Sequence, residues 1–109
     1  MRIIGIIYDQ IIYAFLDDLK LSGLSQNSIR FYKSDISSFT LWLKLKVRKT
    51  GILADDFKDL LPFIKPSFGE SYKNDLISKS TPIVTVNRKL SVLRRFSDFL
   101  YSKEFLSFD

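Results

Sequence analysis

The sequence predicts an all-α protein of four or five helices. Apolar residues recur at spacings of three and four along its long segments, as a helix with one buried face requires. Start and stop residues, Ser25 and Gly23 among them, punctuate those segments. No repeat, low-complexity tract or internal linker breaks them.

A first helix is expected roughly over residues 8–21. Ile11, Ile12, Phe15, Leu16 and Leu19 form its apolar stripe, with Asp17, Asp18 and Lys20 outward. Gly23 supplies the stop, because glycine takes the left-handed conformation cheaply. Residues 1–7, rich in isoleucine, fit an extension of this helix, a strand or a frayed end. A second helix starts at Ser25, whose hydroxyl can accept a free backbone N–H. Leu24 and Ile29 have the spacing of a hydrophobic staple, while Ser28 stands where a capping box would place Glu or Gln. Ile29, Tyr32, Ile36, Phe39 and Leu43 make its buried stripe and Trp42 widens it. Its end falls between Leu45 and Gly51.

The middle carries weaker signals. Residues 55–61 read as a short helix with Phe57, Leu60 and Leu61 inward, followed by Pro62 and Pro66. Ser67-Phe68-Gly69-Glu70 has capping-box spacing and opens a helix through Ser78, with Phe68, Tyr72 and Leu76 inside. The last helix starts at Thr81 with Pro82 in its first position, or at Thr85. Its apolar stripe is Val86, Leu90, Leu93, Phe96 or Ser97, and Leu100, broadened by Phe99 and Tyr101. Residues 105–109 read as a tail or the start of a linker.

Length and composition narrow the function classes. A chain of 109 residues suits one domain, here 1–109 with a helical core of about 8–105. With 46% hydrophobic residues it can bury a core without disulfides or a structural metal. It has neither cysteine nor histidine, so an ordinary nucleophile–base pair or zinc centre cannot be built. No metal or other cofactor is expected. The absence of cysteine fits a cytoplasmic protein. The apolar start, residues 3–16, is interrupted by Asp9 and Gln10, is too short to span a bilayer and lacks a cleavage site. The reading is therefore a soluble protein with no membrane partner.

The positive charge is concentrated. Residues 26–50 hold six bases against one acid, net +5, and residues 81–104 hold five against two, net +3. Residues 1–25, 51–80 and 105–109 are each −1, which completes the chain's +5. Two basic helices facing one partner would look like this, and so would an ordinary solvated surface. In the second helix Arg30, Lys33 and Ser37 follow i, i+3, i+7 spacing, away from the apolar stripe. In the last helix Asn87, Ser91, Arg94, Arg95 and Asp98 lie opposite Leu90 and Leu93, with Arg88 beside them and seven residues before Arg95. Guanidinium groups grip phosphate or guanine edges bidentately, and Asn can read adenine. Lys and Ser supply phosphate contacts that position without specifying.

Plainer readings stand beside these. Arg88 and Arg95 could pair with Asp98 or Glu104, and Asn87 could simply be solvated. Lys44, Lys46, Arg48 and Lys49 sit near a helix C-terminus, where the dipole favours cations as much as phosphate contact would. Tyr32, Phe39 and Trp42 belong to the core stripe rather than to a base-stacking platform. Tyr8, Tyr13, Tyr72 and Tyr101 have no Arg–His neighbourhood in sequence and make no phosphotransfer nucleophile.

Two segments about sixty residues apart, Leu-Ser-Gln-Asn-Ser-Ile-Arg-Phe-Tyr-Lys-Ser-Asp-Ile at 24–36 and Thr-Val-Asn-Arg-Lys-Leu-Ser-Val-Leu-Arg-Arg-Phe at 85–96, carry a resemblance. Together they resemble the N-terminal core-binding domain of tyrosine recombinases, the phage integrase family. The resemblance runs from about residue 8 to residue 106. Each motif alone is weak; their order and spacing are fairly specific. It implies a small orthogonal, SAM-like bundle of four to five helices, forming half of a C-shaped clamp on double-stranded DNA. The other half would be a C-terminal catalytic domain with an Arg–His–Arg set and a tyrosine nucleophile. That domain is absent here, which implies a piece of a longer recombinase. Carried over residue by residue, the DNA contacts are Arg30, Lys33, Asn87, Arg88, Lys89, Arg94 and Arg95. Lys89 and Arg94 match basic positions of the family, but periodicity alone does not fix their facing. The proline-bearing segment 62–66 and the isoleucine-rich start depart from the family pattern.

The expected function is therefore a DNA-binding domain of a site-specific recombinase or integrase, gripping a core half-site and not catalytic alone. Its partners would be DNA, its own catalytic domain and other recombinase protomers, met through the first helix and loops. The alternative is a helical protein–protein interaction module that uses exposed aromatics. A standalone enzyme is disfavoured. Asp55, Asp56 and Asp59 read as the first turn of a helix rather than as a catalytic cluster.

Overall fold

A computed structural model of the chain describes residues 4–52 and 57–103. Among them it has five α-helices and no strand: α1 Ile4–Leu21, α2 Gln26–Lys49, α3 Phe57–Leu60, α4 Pro66–Ser78 and α5 Ile83–Ser102, with a 3-10 turn at Leu61–Phe63. The all-α expectation holds. Of the three readings for residues 1–7, helix extension is correct from Ile4 onward, and residues 1–3 lie outside the described residues. So do Asp55, Asp56 and the expected tail at 105–109. The chain divides into two compact units, Met1–Leu60 and Leu61–Asp109.

In the first unit α1 packs on α2 and α3, and α2 on α3. The core is Ile11, Ile12, Phe15 and Leu19 of α1, Ile36, Phe39, Leu43 and Val47 of α2, and Leu60 of α3. Tyr32 is half-buried, its ring centroid 6.2 Å from that of Phe15, and Trp42 stacks on Phe39 at 5.9 Å. These aromatics serve packing, as their place on the apolar stripe predicts. Asp35 is an exception to the pattern. It is a carboxylate at 3% exposure beside Ile36. No buried side-chain nitrogen or oxygen among the described residues lacks a hydrogen-bond partner, so this group is compensated within the fold.

The turn between α1 and α2 is built by local chemistry. Leu24 N–H donates to the Leu19 carbonyl at 3.2 Å and Gly23 N–H to that of Lys20 at 3.1 Å. This is a Schellman closure, and it needs Gly23 at φ +96°. Ser25 then caps α2: its Oγ accepts from Ser28 N–H at 3.2 Å. The helix runs to Lys49, inside the expected range, and Gly51 at φ +89° follows it.

In the second unit α4 packs on α5. Its buried side chains are Ile64, Tyr72, Val86, Val92, Phe96, Phe99 and Leu100. Three expectations need correction. The short helix, described from Phe57, stops at Leu60 rather than at Leu61, because Leu61 and Pro62 tighten into the 3-10 turn. α4 opens on Pro66 with Lys65 as its cap residue, not on a Ser67 capping box. Proline's fixed φ suits a first helical turn without any side-chain cap. α5 starts at Ile83 with Pro82 as its N-cap, not at Thr81 or Thr85. The Pro82 carbonyl already accepts from Val86 N–H at 3.0 Å, as an N-cap carbonyl does.

α4 ends in a second Schellman closure, Thr81 N–H to the Leu76 carbonyl at 3.1 Å and Ser80 N–H to that of Ile77 at 3.0 Å. Here the left-handed position is held by Ser80 at φ 63° rather than by glycine. A left-handed side-chain-bearing residue costs roughly 1–2 kcal/mol, part of which a glycine would return in unfolded-chain entropy. Ser80→Gly is therefore expected to raise the thermal midpoint by the equivalent of up to about 1 kcal/mol. Ser25→Ala should lower it by about 1 kcal/mol through loss of the α2 cap. Calorimetry on both variants checks the pair, and a Ser80→Gly protein that melts lower than the parent would refute the strain assignment.

Candidate nucleic-acid interface

The core of the first unit decides which α2 side chains point outward. At about 100° per residue, burial of Ile36, Phe39, Leu43 and Val47 turns Arg30, Lys33 and Ser37 onto one flank of the helix, roughly 110° from the core side, where all three are exposed. The row does not stop there. Half-buried Lys44 and exposed Arg48 fall on the same phase, so the basic face runs from Arg30 to Arg48, about 27 Å at 1.5 Å per residue. The spacing of three, four, seven and four was the signal in the sequence for this continuation. Lys46 belongs elsewhere: its Nζ sits 5.9 Å from the Trp42 ring centroid. Arg30 is steadied by a hydrogen bond from its Nη2 to Asn27 Oδ1. A guanidinium has five N–H donors, so others remain for an anion. Lys33 and Ser37 also edge a small cleft of about 130 Å³ with Tyr8, Asp9, Ile12 and Tyr13.

On α5 of the second unit, Asn87, Arg88, Ser91, Arg94, Arg95 and Asp98 are all exposed and span one arc of about 120°. Arg88 and Arg95 form one row and Asn87 and Arg94 a second, with Ser91 between them. Asp98 is the one acid on this arc, leaving it at net +2. Lys89 is not part of it. By phase it lies within the arc of Val86, Val92, Phe96 and Leu100, where it is half-buried. Leu90 and Leu93, expected at the centre of the buried stripe, are half-buried at its edge, while Val92 and Phe99 are fully buried.

Among the described residues, no three His, Cys, Asp or Glu side chains are grouped to hold a metal ion, and no helix is long and apolar enough to cross a membrane. An open groove of about 770 Å³ in the first unit is lined by Tyr13, Leu16, Asp17, Lys20, Leu24 and Ile29, among others. What the two helices offer is cationic side chains in rows on rigid elements, suited to phosphate and to base edges.

Comparison with known proteins gives the family. The family model of the phage integrase N-terminal SAM-like domain matches residues 12–104. Tyrosine recombinase XerD of Proteus mirabilis is 33% identical over 97 residues, covering 88% of this chain and 28% of the relative. Tyrosine recombinase XerC of Thermodesulfovibrio yellowstonii is 31% identical over 93 residues, covering 84% of this chain and 26% of the relative. The chain thus spans little more than a quarter of the length of these recombinases. No solved structure matches it. With the match running through α1, α2, α4 and α5, the chain belongs to the family of phage integrase N-terminal SAM-like domains.

Proposed function

We propose that the chain is the DNA-gripping, non-catalytic domain of a cytoplasmic tyrosine recombinase or integrase. It would hold double-stranded DNA at a core half-site while a catalytic domain and other protomers of the parent protein carry out strand exchange. The observation that carries this reading is the cationic face of α2, Arg30, Lys33, Lys44 and Arg48, in a chain of this family. The arc of Asn87, Arg88, Arg94 and Arg95 on α5 adds to it. Lys89, half-buried on the inward side of α5, supports it least.

The mechanism is phosphate neutralisation with release of condensed counterions, which makes affinity fall steeply with salt. Base reading would be a smaller contribution. Asn87 can pair bidentately with adenine, and the arginines with guanine, if α5 enters a major groove about 12 Å wide. A chain without histidine or cysteine lacks the commonest general base and has no thiolate.

Fluorescence anisotropy of a labelled duplex across a salt series tests this directly. Log affinity should fall linearly with log salt, by about 0.9 in slope for each phosphate contacted. Arg30→Gln/Lys33→Gln and Arg88→Glu/Arg95→Glu should each weaken binding and flatten the slope by roughly one to two units. A folded parent protein that binds no duplex at low salt would exclude the reading. Asn87→Ala should behave differently: the slope stays as it is, and preference among duplexes differing at a single A·T pair shrinks by about 1–3 kcal/mol. Equal preference before and after the substitution would remove Asn87 from base reading.

A further inference from the structure

α2 carries a second outward row beside its basic one. Phe31, Ser34, Ser38, Leu41 and Leu45 recur at alternating spacings of three and four, the a/d repeat of a heptad. Phe31 is 54% exposed, Leu41 59% and Leu45 51%, and both serines are exposed. Leu41 and Leu45 stand outside the core, because Ile36, Phe39, Leu43 and Val47 bury the other side of the helix. An exposed apolar row with heptad spacing is how a helix receives a second helix, and the two serines let a backbone approach closely at mid-row.

The surrounding charge defines the second helix. Arg30, Lys44 and Arg48 border the row along one side, and Lys46 and Lys49 along the other. The single acid of α2, Asp35, is buried, so the outward surface of this helix has bases and no acid. A second copy of α2 laid on the row would set bases against bases. A lipid surface fits poorly as well: an interfacial helix needs a broad apolar face, and this row is three apolar side chains interrupted by two serines. We propose that this face of α2 docks an amphipathic helix of another protein, with apolar residues at its a and d positions and Glu or Asp flanking them. The docking itself does not depend on DNA binding. One consequence rests on that reading: Arg30, Lys44 and Arg48 cannot serve a duplex and an acidic helix at once, so the two ligands exclude each other.

The test is a titration without DNA. The probe is a fluorescein-labelled three-heptad peptide with Leu at a and d and Glu at e and g, whose like charges discourage self-pairing. The 109-residue chain is added to it. The expected result is saturable binding, about tenfold weaker for Leu41→Ser/Leu45→Ser and again for Lys44→Gln/Arg48→Gln. A peptide with Lys at e and g should not bind. Leu41, Leu45 and Arg48 are exposed and Lys44 is half-buried, and circular dichroism verifies that the variants remain helical. Equal binding of the Lys peptide, indifference to the leucine substitutions, or binding only to phosphatidylserine vesicles would each overturn the proposal. A labelled duplex is then added to the peptide complex. A duplex that never binds, even without peptide, refutes the DNA reading and leaves the titration standing. Duplex and peptide bound together refute mutual exclusion.

Discussion

The helical phase of α2 is the constraint on which the rest depends. Twenty-four residues with one buried side leave two outward rows, and the sequence fills them differently. Ile36, Phe39, Leu43 and Val47 go to the core. Arg30, Lys33, Ser37, Lys44 and Arg48 form a basic row, and Phe31, Leu41 and Leu45 an apolar one. Once burial fixes the rotation of the helix, none of these rows can be moved without moving the others. Core and surface function are therefore coupled through one rigid element, which holds its side chains more accurately than a loop would. The cap at Ser25 and the closure at Gly23 set where that element begins, and so which residue occupies each phase.

α5 follows the same logic with a less even surface. Its buried arc of Val86, Val92, Phe96, Phe99 and Leu100 presents three arginines and Asn87 outward and draws Lys89 inward. A long lysine can bury its methylene stem along apolar neighbours while its ammonium stays near water, so an inward phase does not forbid the residue. It does separate Lys89 from the arginines with which its sequence position associates it.

Features set by neighbours in the chain were legible in the sequence. Gly23 and Ser25 act through hydrogen bonds that reach no further than five residues, and both expectations held. The apolar stripes of α1 and α2 were equally plain, since period and burial agree over many turns. The misses have physical causes. At the starts of α4 and α5 nearby serine or threonine competed with proline, and proline's fixed φ prevailed without a side-chain cap. On α5 Val92 and Leu93 are adjacent apolar residues, and only tertiary packing determines which is more deeply buried. Burial of Asp35 depends on compensation within the fold that periodicity cannot reveal. At the candidate site, residue type was readable and facing mostly so: six of the seven candidate contacts are exposed, and Lys89, whose facing periodicity did not fix, is half-buried.

Acetylation of lysines with and without bound duplex, read by mass spectrometry, tests the central claim most directly, because α2 supplies its own controls. Lys33 and Lys44 share the basic row, while Lys46 lies over Trp42 and Lys79 pairs with Asp75 on α4. The account predicts that duplex protects Lys33 and Lys44 and leaves Lys46 and Lys79 reactive. Protection of Lys46 equal to that of Lys33 and Lys44, or protection confined to Lys79, would contradict it.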